Sequence, residues 1–210
     1  MFTQKQPLKT EYFPAPCSPG YRIRRAFSTD AKTIEAIMNT AWAALEDKDW
    51  FMQDDSAFIR HILGEADSPR PSAWAAAPLS ACAPAVNGFG LLALDTRDAP
   101  VAYLLVLFPE LSSKNLGYDL AFEKRQLLQT AHMDSLAVLP NHQGQRLQQS
   151  LIRCAEEILR QHFSGKIYLL ATVAPANLPS LKSFQACCYE IRGTKEKYGG
   201  VIRHILSKKI

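Results

Sequence analysis

Between Asp134 and Ile152 the chain runs an apolar stretch, a glycine and a helical repeat in immediate succession, a pattern that makes an anion site from backbone alone. Ser135 to Leu139 is mostly apolar and reads as a strand. Pro140 closes it, because proline has no N–H to give to a ladder. From near Gln143 a helix is expected: Leu147, Leu151, Ile152, Ala155, Ile158 and Leu159 recur at helical spacing, with Gln148, Gln149, Arg153, Glu156 and Arg160 on the other face. The first amides of such a helix lack internal partners and carry the positive end of its dipole. An anion seated on the Gln143–Leu147 turn is therefore stabilised.

Val138-Leu139-Pro140 followed by Gln143-Gly144-Gln145-Arg146-Leu147-Gln148 resembles the acetyl-CoA pyrophosphate loop of the GNAT superfamily of N-acetyltransferases, whose usual pattern is Q/R-x-x-G-x-G/A. Gln143 takes the first position. Arg146 stands where the family prefers glycine and Gln148 where it prefers glycine or alanine; Arg146 either crowds the phosphates or pairs with them. A second block, Asn177 to Tyr189, resembles the family's N-x-x-S/A-x-x-x-Y/F-x-x-x-G-F segment. Asn177 and Ser180 fit it, Phe184 replaces a tyrosine often proposed as general acid, and Cys188 replaces the glycine before the terminal aromatic. The tail from Thr194 to Leu206 looks like the closing hairpin of bacterial members of unassigned substrate.

The resemblance implies an α/β GNAT fold, a mixed central sheet flanked by helices. It also implies acetyl-CoA as cosubstrate and a primary amine, on a small molecule or a protein, as acceptor. On it, Leu136, Ala137 and Val138 border the pantetheine arm. The turn Gln143, Gly144, Gln145, Arg146, Leu147 and Gln148 takes the pyrophosphate, while Asn177, Ser180 and Phe184 approach the cofactor. Asn177 serves equally well as a helix cap. Asp134 and His132, at the start of the strand that should border the acetyl group, are the candidates to take the amine's proton, directly or through water. Glu110 is a third option. The alternative function is a non-catalytic acyl-CoA-binding or protein-interaction domain with a degenerate loop.

The elements that must position these groups follow from pattern. Met1 to Gly20, rich in proline and without period, is expected to be a flexible arm, and residues 21–210 a single domain. Tyr21 to Phe27 alternates as a strand. Ser28-Thr29-Asp30 can cap a helix through Ile34, Ile37, Met38 and Trp42, and a second helix is expected from Ser56. An Ala/Pro-rich insertion at about 64–88 is either a disordered excursion or a functional cover. Phe89 to Leu94 and Val101 to Phe108 form a hairpin, and Pro109 to Glu123 an irregular connection. A strand to Leu139, the long helix, a strand Lys166 to Val173, a short helix from Ser180 and a hairpin around Gly199-Gly200 complete the chain.

At 210 residues, 47% hydrophobic and 21% charged, the chain can bury a substantial core, and no apolar run is long enough to span a bilayer. The net charge of +4 is modest and its basic residues are scattered, so neither nucleic acid nor membrane is an expected partner. The start lacks the apolar core of a secretory signal, and five cysteines without ligand spacing suggest no metal site and a cytoplasmic setting. A homodimer through a sheet edge is possible.

Overall fold

The computed structural model describes residues 12–16, 18–64, 88–163 and 165–210. Their strands form one eight-stranded mixed sheet, ordered β1-β2-β3-β4-β5-β6-β8-β7. β1 is Tyr12–Pro14, β2 Arg22–Ala26, β3 Gly88–Leu94, β4 Pro100–Leu107, β5 Thr130–Val138, β6 Tyr168–Val173, β7 Glu190–Lys197 and β8 Val201–Lys209. The helices are α1 Ala31–Ala43, α2 Ser56–Leu63, the single turn α3 Lys124–Leu127, α4 Leu147–His162 and α5 Leu178–Ala186. Every strand pair is antiparallel except β5 with β6.

The central strands are apolar at nearly every position because both faces of the sheet are covered. Leu91, Ala93, Leu104 and Val106 point to a core shared with Leu147, Leu151, Ile152, Ala155, Ile158 and Leu159 of α4. Their neighbours Leu92, Leu94, Tyr103 and Leu105 point the other way, to Ile34, Ile37 and Met38 of α1 and Ile59 and Ile62 of α2. Alternation along two adjacent strands thus fills both layers. Arg24 and Asp30, joined by paired contacts of 2.8 Å, fix β2 to the start of α1. Arg203 of β8 reaches the carbonyl of Trp50 at 2.9 Å and so ties the α1–α2 connection to the far side of the sheet.

Three expectations are revised. The segment read as a flexible arm contains β1, which pairs Tyr12–Pro14 with β2, and Ala15 and Ser18 are buried; residues 1–11 lie outside the described residues. The connection Pro109 to Glu123 holds a 3-10 turn, Leu116–Leu120, rather than irregular chain throughout, and α3 follows it. α4 starts at Leu147, not near Gln143, because Gly144 and Arg146 take left-handed backbone that no α-helix accepts. Of the insertion at about 64–88, residues 65–87 lie outside the described residues. No helix of the described residues is long and apolar enough to cross a membrane.

Candidate active site

β5 and β6 stay together for only three residue pairs, Thr130 with Tyr168, Ala131 with Leu169 and His132 with Leu170. Beyond them β5 runs on to Val138 and β6 to Val173, so the strands part and their facing edges carry no ladder. A bulge accompanies the parting. Leu105 pairs with Ser135 but Val106 with Met133, which leaves Asp134 as the extra residue, and a bulge bends and twists the strand that carries it. The other edge of β5 remains bonded to β4 as far as Val138. One edge is therefore fixed while the other is open for hydrogen bonds.

At the end of the open edge the chain turns through Pro140–His142 and enters α4. Gln143 to Arg146 are exposed. Gly144 has φ +77°, and a Cβ there would meet nothing within 4 Å; glycine is required by the turn, not by crowding. Arg146 has φ +57° and caps α4 without any side-chain hydrogen bond. The first helical rung is Ser150 N to Arg146 O, 3.0 Å, so the amides of Leu147, Gln148 and Gln149 have no intrahelical partner. Leu147 itself is 2% exposed and has only its amide to present.

Asp134 lies just past the last β5–β6 pair. Asp134 is an exposed residue whose carboxylate nonetheless loses part of its solvation to the protein packed around it. That loss of solvation, followed by the negative charge of Asp54, raises its pKa to about 7 against a weaker opposing pull from Lys114. Asp54 sits on the connection before α2, and its own pKa is raised by burial and by Asp55. Beneath them Tyr103 and Ser135 share a buried hydrogen bond of 2.8 Å.

His132 has a different place. It is buried, and its Nε2 accepts the amide of Leu116 at 3.2 Å. Burial, then the charge of Lys197, lowers its pKa to about 3. The lone pair that would take a proton is already bonded, so the ring pins the 3-10 turn to β5. Glu110 lines a cavity of about 50 Å³ with Phe108, Thr130 and Phe163, at the opposite end of β5 from Val138.

The remaining candidates divide in the same way. Leu136 is half-buried and Ala137 and Val138 buried, leaving these three to act through backbone. Asn177 Oδ1 accepts the amide of Ser180 at 3.2 Å and caps α5, with both residues half-buried. Phe184 goes into the core instead of toward a ligand: it is 3% exposed and packs edge-on against Tyr189 with ring centroids 5.1 Å apart. Asp54, Tyr103 and Ser18 were not singled out from sequence. Each acts through a partner at least 32 residues away, and neither period nor motif marks such pairs.

The family model for the acetyltransferase (GNAT) family matches residues 87–188, a span that opens one residue before β3 and ends at Cys188. It contains the bulge, the splayed strands and the uncapped helix. Residues 87–188 belong to the acetyltransferase (GNAT) family. No curated protein matches it. Among solved structures, the ribosomal-protein-S5-alanine acetyltransferase from Vibrio fischeri aligns over 94% of this chain and 96% of its own at TM-score 0.60 and 13% identity. Arabidopsis thaliana NAA60, solved in complex with a bisubstrate analogue, covers 90% and 99% at TM-score 0.62 and 9% identity. The yncA structure from Salmonella typhimurium, with its cofactor acetyl-CoA, covers 91% and 93% at TM-score 0.53 and 16% identity. At these identities the likeness is one of fold. Within the GNAT pattern, the two glycine positions that this chain fills with other residues keep the glycine backbone: Arg146 at φ +57° and Cys188 at φ +64°.

Proposed function

We propose that this GNAT domain is an N-acetyltransferase that moves the acetyl group of acetyl-CoA to a primary amine by direct attack. The observation that carries the reading is a single alignment of parts. An open strand edge, an uncapped helix N-terminus and a carboxylate with a pKa near 7 all belong to the one continuous stretch that runs from β5 into α4. In this reading the backbone of Leu136, Ala137 and Val138 takes the amides of the pantetheine arm. The turn Gln143 to Gln148 takes the pyrophosphate, where free amides and the helix dipole favour negative charge. Asn177 and Ser180 flank the arm from the other side of the cleft.

The chemistry then needs an amine to shed a proton as it attacks the thioester carbonyl. Asp134 is the group for this, directly or through water, because a base with pKa near ambient pH is both ionised and a fair proton acceptor. A backbone N–H on the open edge of β5 steadies the oxyanion that forms on the carbonyl oxygen. Phe184 has no hydroxyl and is buried, so the leaving thiolate takes its proton from water.

Calorimetric titration with acetyl-CoA and with CoA, on the wild-type protein and on Gly144→Glu, tests the site. The side chain at position 144 projects into open space beside the helix terminus, so the added carboxylate repels the phosphates without meeting the core, and the strain of a side chain at φ +77° adds to the loss by loosening the turn. The expected result is binding that falls at least tenfold in the variant, by loss of about 1.4 kcal/mol or more. No binding by wild type at millimolar ligand overturns the cofactor assignment. Binding without release of free thiol across a screen of amines points instead to a non-catalytic acyl-CoA-binding domain.

A further inference from the structure

The loop before α4 is held from beneath by a segment far away in sequence. After β1 the chain buries Ala15, turns with Ser18 N bonded to Ala15 O at 2.9 Å, and turns again with Tyr21 N bonded to Ser18 O at 3.2 Å. Ser18 is 2% exposed. Its Oγ lies 2.7 Å from the carbonyl oxygen of Gln145 and 2.9 Å from the Oγ of Ser150. A carbonyl can only accept, and a serine hydroxyl has one proton. Ser18 therefore donates to Gln145, and Ser150 donates to Ser18. Three residues later Tyr21 places its hydroxyl 3.0 Å from Nδ1 of His142, with the rings edge to face. These three contacts hold the loop at its entrance, at its centre and in the first turn of α4.

The central contact has a directional result. In a trans peptide the C=O of one residue and the N–H of the next point opposite ways. Drawing the Gln145 carbonyl inward to Ser18 turns the Arg146 N–H outward, and it removes a negative dipole end from the side where an anion would sit. The same bond fixes the peptide that precedes the left-handed residue Arg146, a conformation unfavourable for arginine by itself.

We infer that Ser18 and Tyr21 form a brace for the phosphate loop, and that Ser18 is a positioning residue: it sets the Gln145–Arg146 peptide so that the Arg146 amide joins those of α4 in facing the pyrophosphate of acetyl-CoA. The inference rests on the acetyl-CoA reading of the site. It assigns a role in cosubstrate affinity to a stretch that precedes the region matched by the family model.

Ser18→Ala removes both Oγ contacts while keeping the fold's small side chain. Two readouts separate the brace from the cofactor. Hydrogen exchange of the amides at 150–153, the first hydrogen-bonded rungs of α4, is expected to speed up about tenfold in the ligand-free variant, the worth of about one buried hydrogen bond. The KM for acetyl-CoA is expected to rise about tenfold with kcat at saturation unchanged, while the KM for S-acetylpantetheine, which has no pyrophosphate, stays where it is. Unchanged exchange overturns the brace whatever the ligand. Equal losses for both thioesters, accompanied by a lower melting temperature, overturn the positioning role and leave Ser18 as packing. Tyr21→Phe, which keeps the ring and loses the hydroxyl contact, is expected to give a smaller rise in the KM for acetyl-CoA alone; a rise for both thioesters counts against the inference. If wild type binds no acetyl-CoA while exchange still responds to Ser18→Ala, the cofactor reading fails and the positioning role fails with it.

Discussion

Arg146 and Cys188 stand at positions where the superfamily prefers glycine, and both hold φ near +60°. Backbone demand at these two places has therefore outlived the residue that meets it most easily. A left-handed non-glycine residue costs about 1 kcal/mol, while glycine returns part of that through its freedom in the unfolded chain. Cys188→Gly is expected to raise stability by about 0.5 kcal/mol in urea unfolding, since Cys188 is exposed and makes no core contact that would be lost. Destabilisation would show that the thiol is doing something its surroundings do not reveal. Asp134 and His132, two residues apart on β5, titrate in opposite senses. With Asp134 at about 7, kcat/KM for amine acetylation is expected to climb about tenfold per unit below that pH and level off above it. Asp134→Asn is expected to lower it about a hundredfold or more and flatten the profile.

The same two residues leave a mark on stability. Asp134 binds its proton more tightly in the folded chain than at its ordinary 3.8, so its share of stability is present below that value and declines as pH rises toward 7. His132 is depressed from 6.5 to about 3, so its share is present above 6.5 and is lost as the solution is acidified toward 3. Between about 4 and 6.5 the two slopes oppose. Asp134→Asn removes one of them, and the variant's melting temperature is expected to fall more steeply than wild type's on acidification; parallel curves would show that Asp134 has an ordinary pKa.

At the scale of elements, close approach explains what composition leaves silent. Gly90 of β3 lies under α2: a Cβ there would come within 2.6 Å of Leu63 Cδ2 and 3.0 Å of the Ala26 Cβ. Gly90→Ala is expected to destabilise by about 1–3 kcal/mol, measured by denaturant midpoint, because the Leu63 side chain must shift within a filled core and the contact with Ala26 stays tight. The main strands and helices were legible from the sequence because apolar periods of two and of 3.6 are properties of single segments, visible in Phe89–Leu94 and in Leu147–Leu159. The start of α4 was misjudged by four residues' worth of turn because Gln143 to Arg146 are polar and allow helix by propensity; only the left-handed angles at Gly144 and Arg146 exclude it. β1 escaped notice because three residues carry no period. A motif marks the turn and the Asn177 cap in the sequence, and no motif marks a residue that acts through a distant partner. Ser18 with Gln145 is the case in point, and Phe184, which matched the motif, turned into the core because the Tyr189 ring packs beside it.

Taken as a whole, the molecule is a sheet with one weak seam. Five strands, β1 to β5, lie on one side of it and three, β6, β8 and β7, on the other, and across it run only three residue pairs. A sheet ordinarily ends at two margins, and proteins guard those margins with charge; the outer strand β7 does so with Glu190, Arg192, Lys195, Glu196 and Lys197. The seam adds two further margins inside the molecule. Beyond Asp134, the stretch of β5 that borders it, Leu136 to Val138, carries no charge. To that edge a pantetheine arm and an extended peptide look alike, since each offers amide groups in a line. On the acetyl-CoA reading proposed above, the unloaded protein is a template for strand insertion, and the seated cosubstrate serves as the guard that Leu136 to Val138 do not supply.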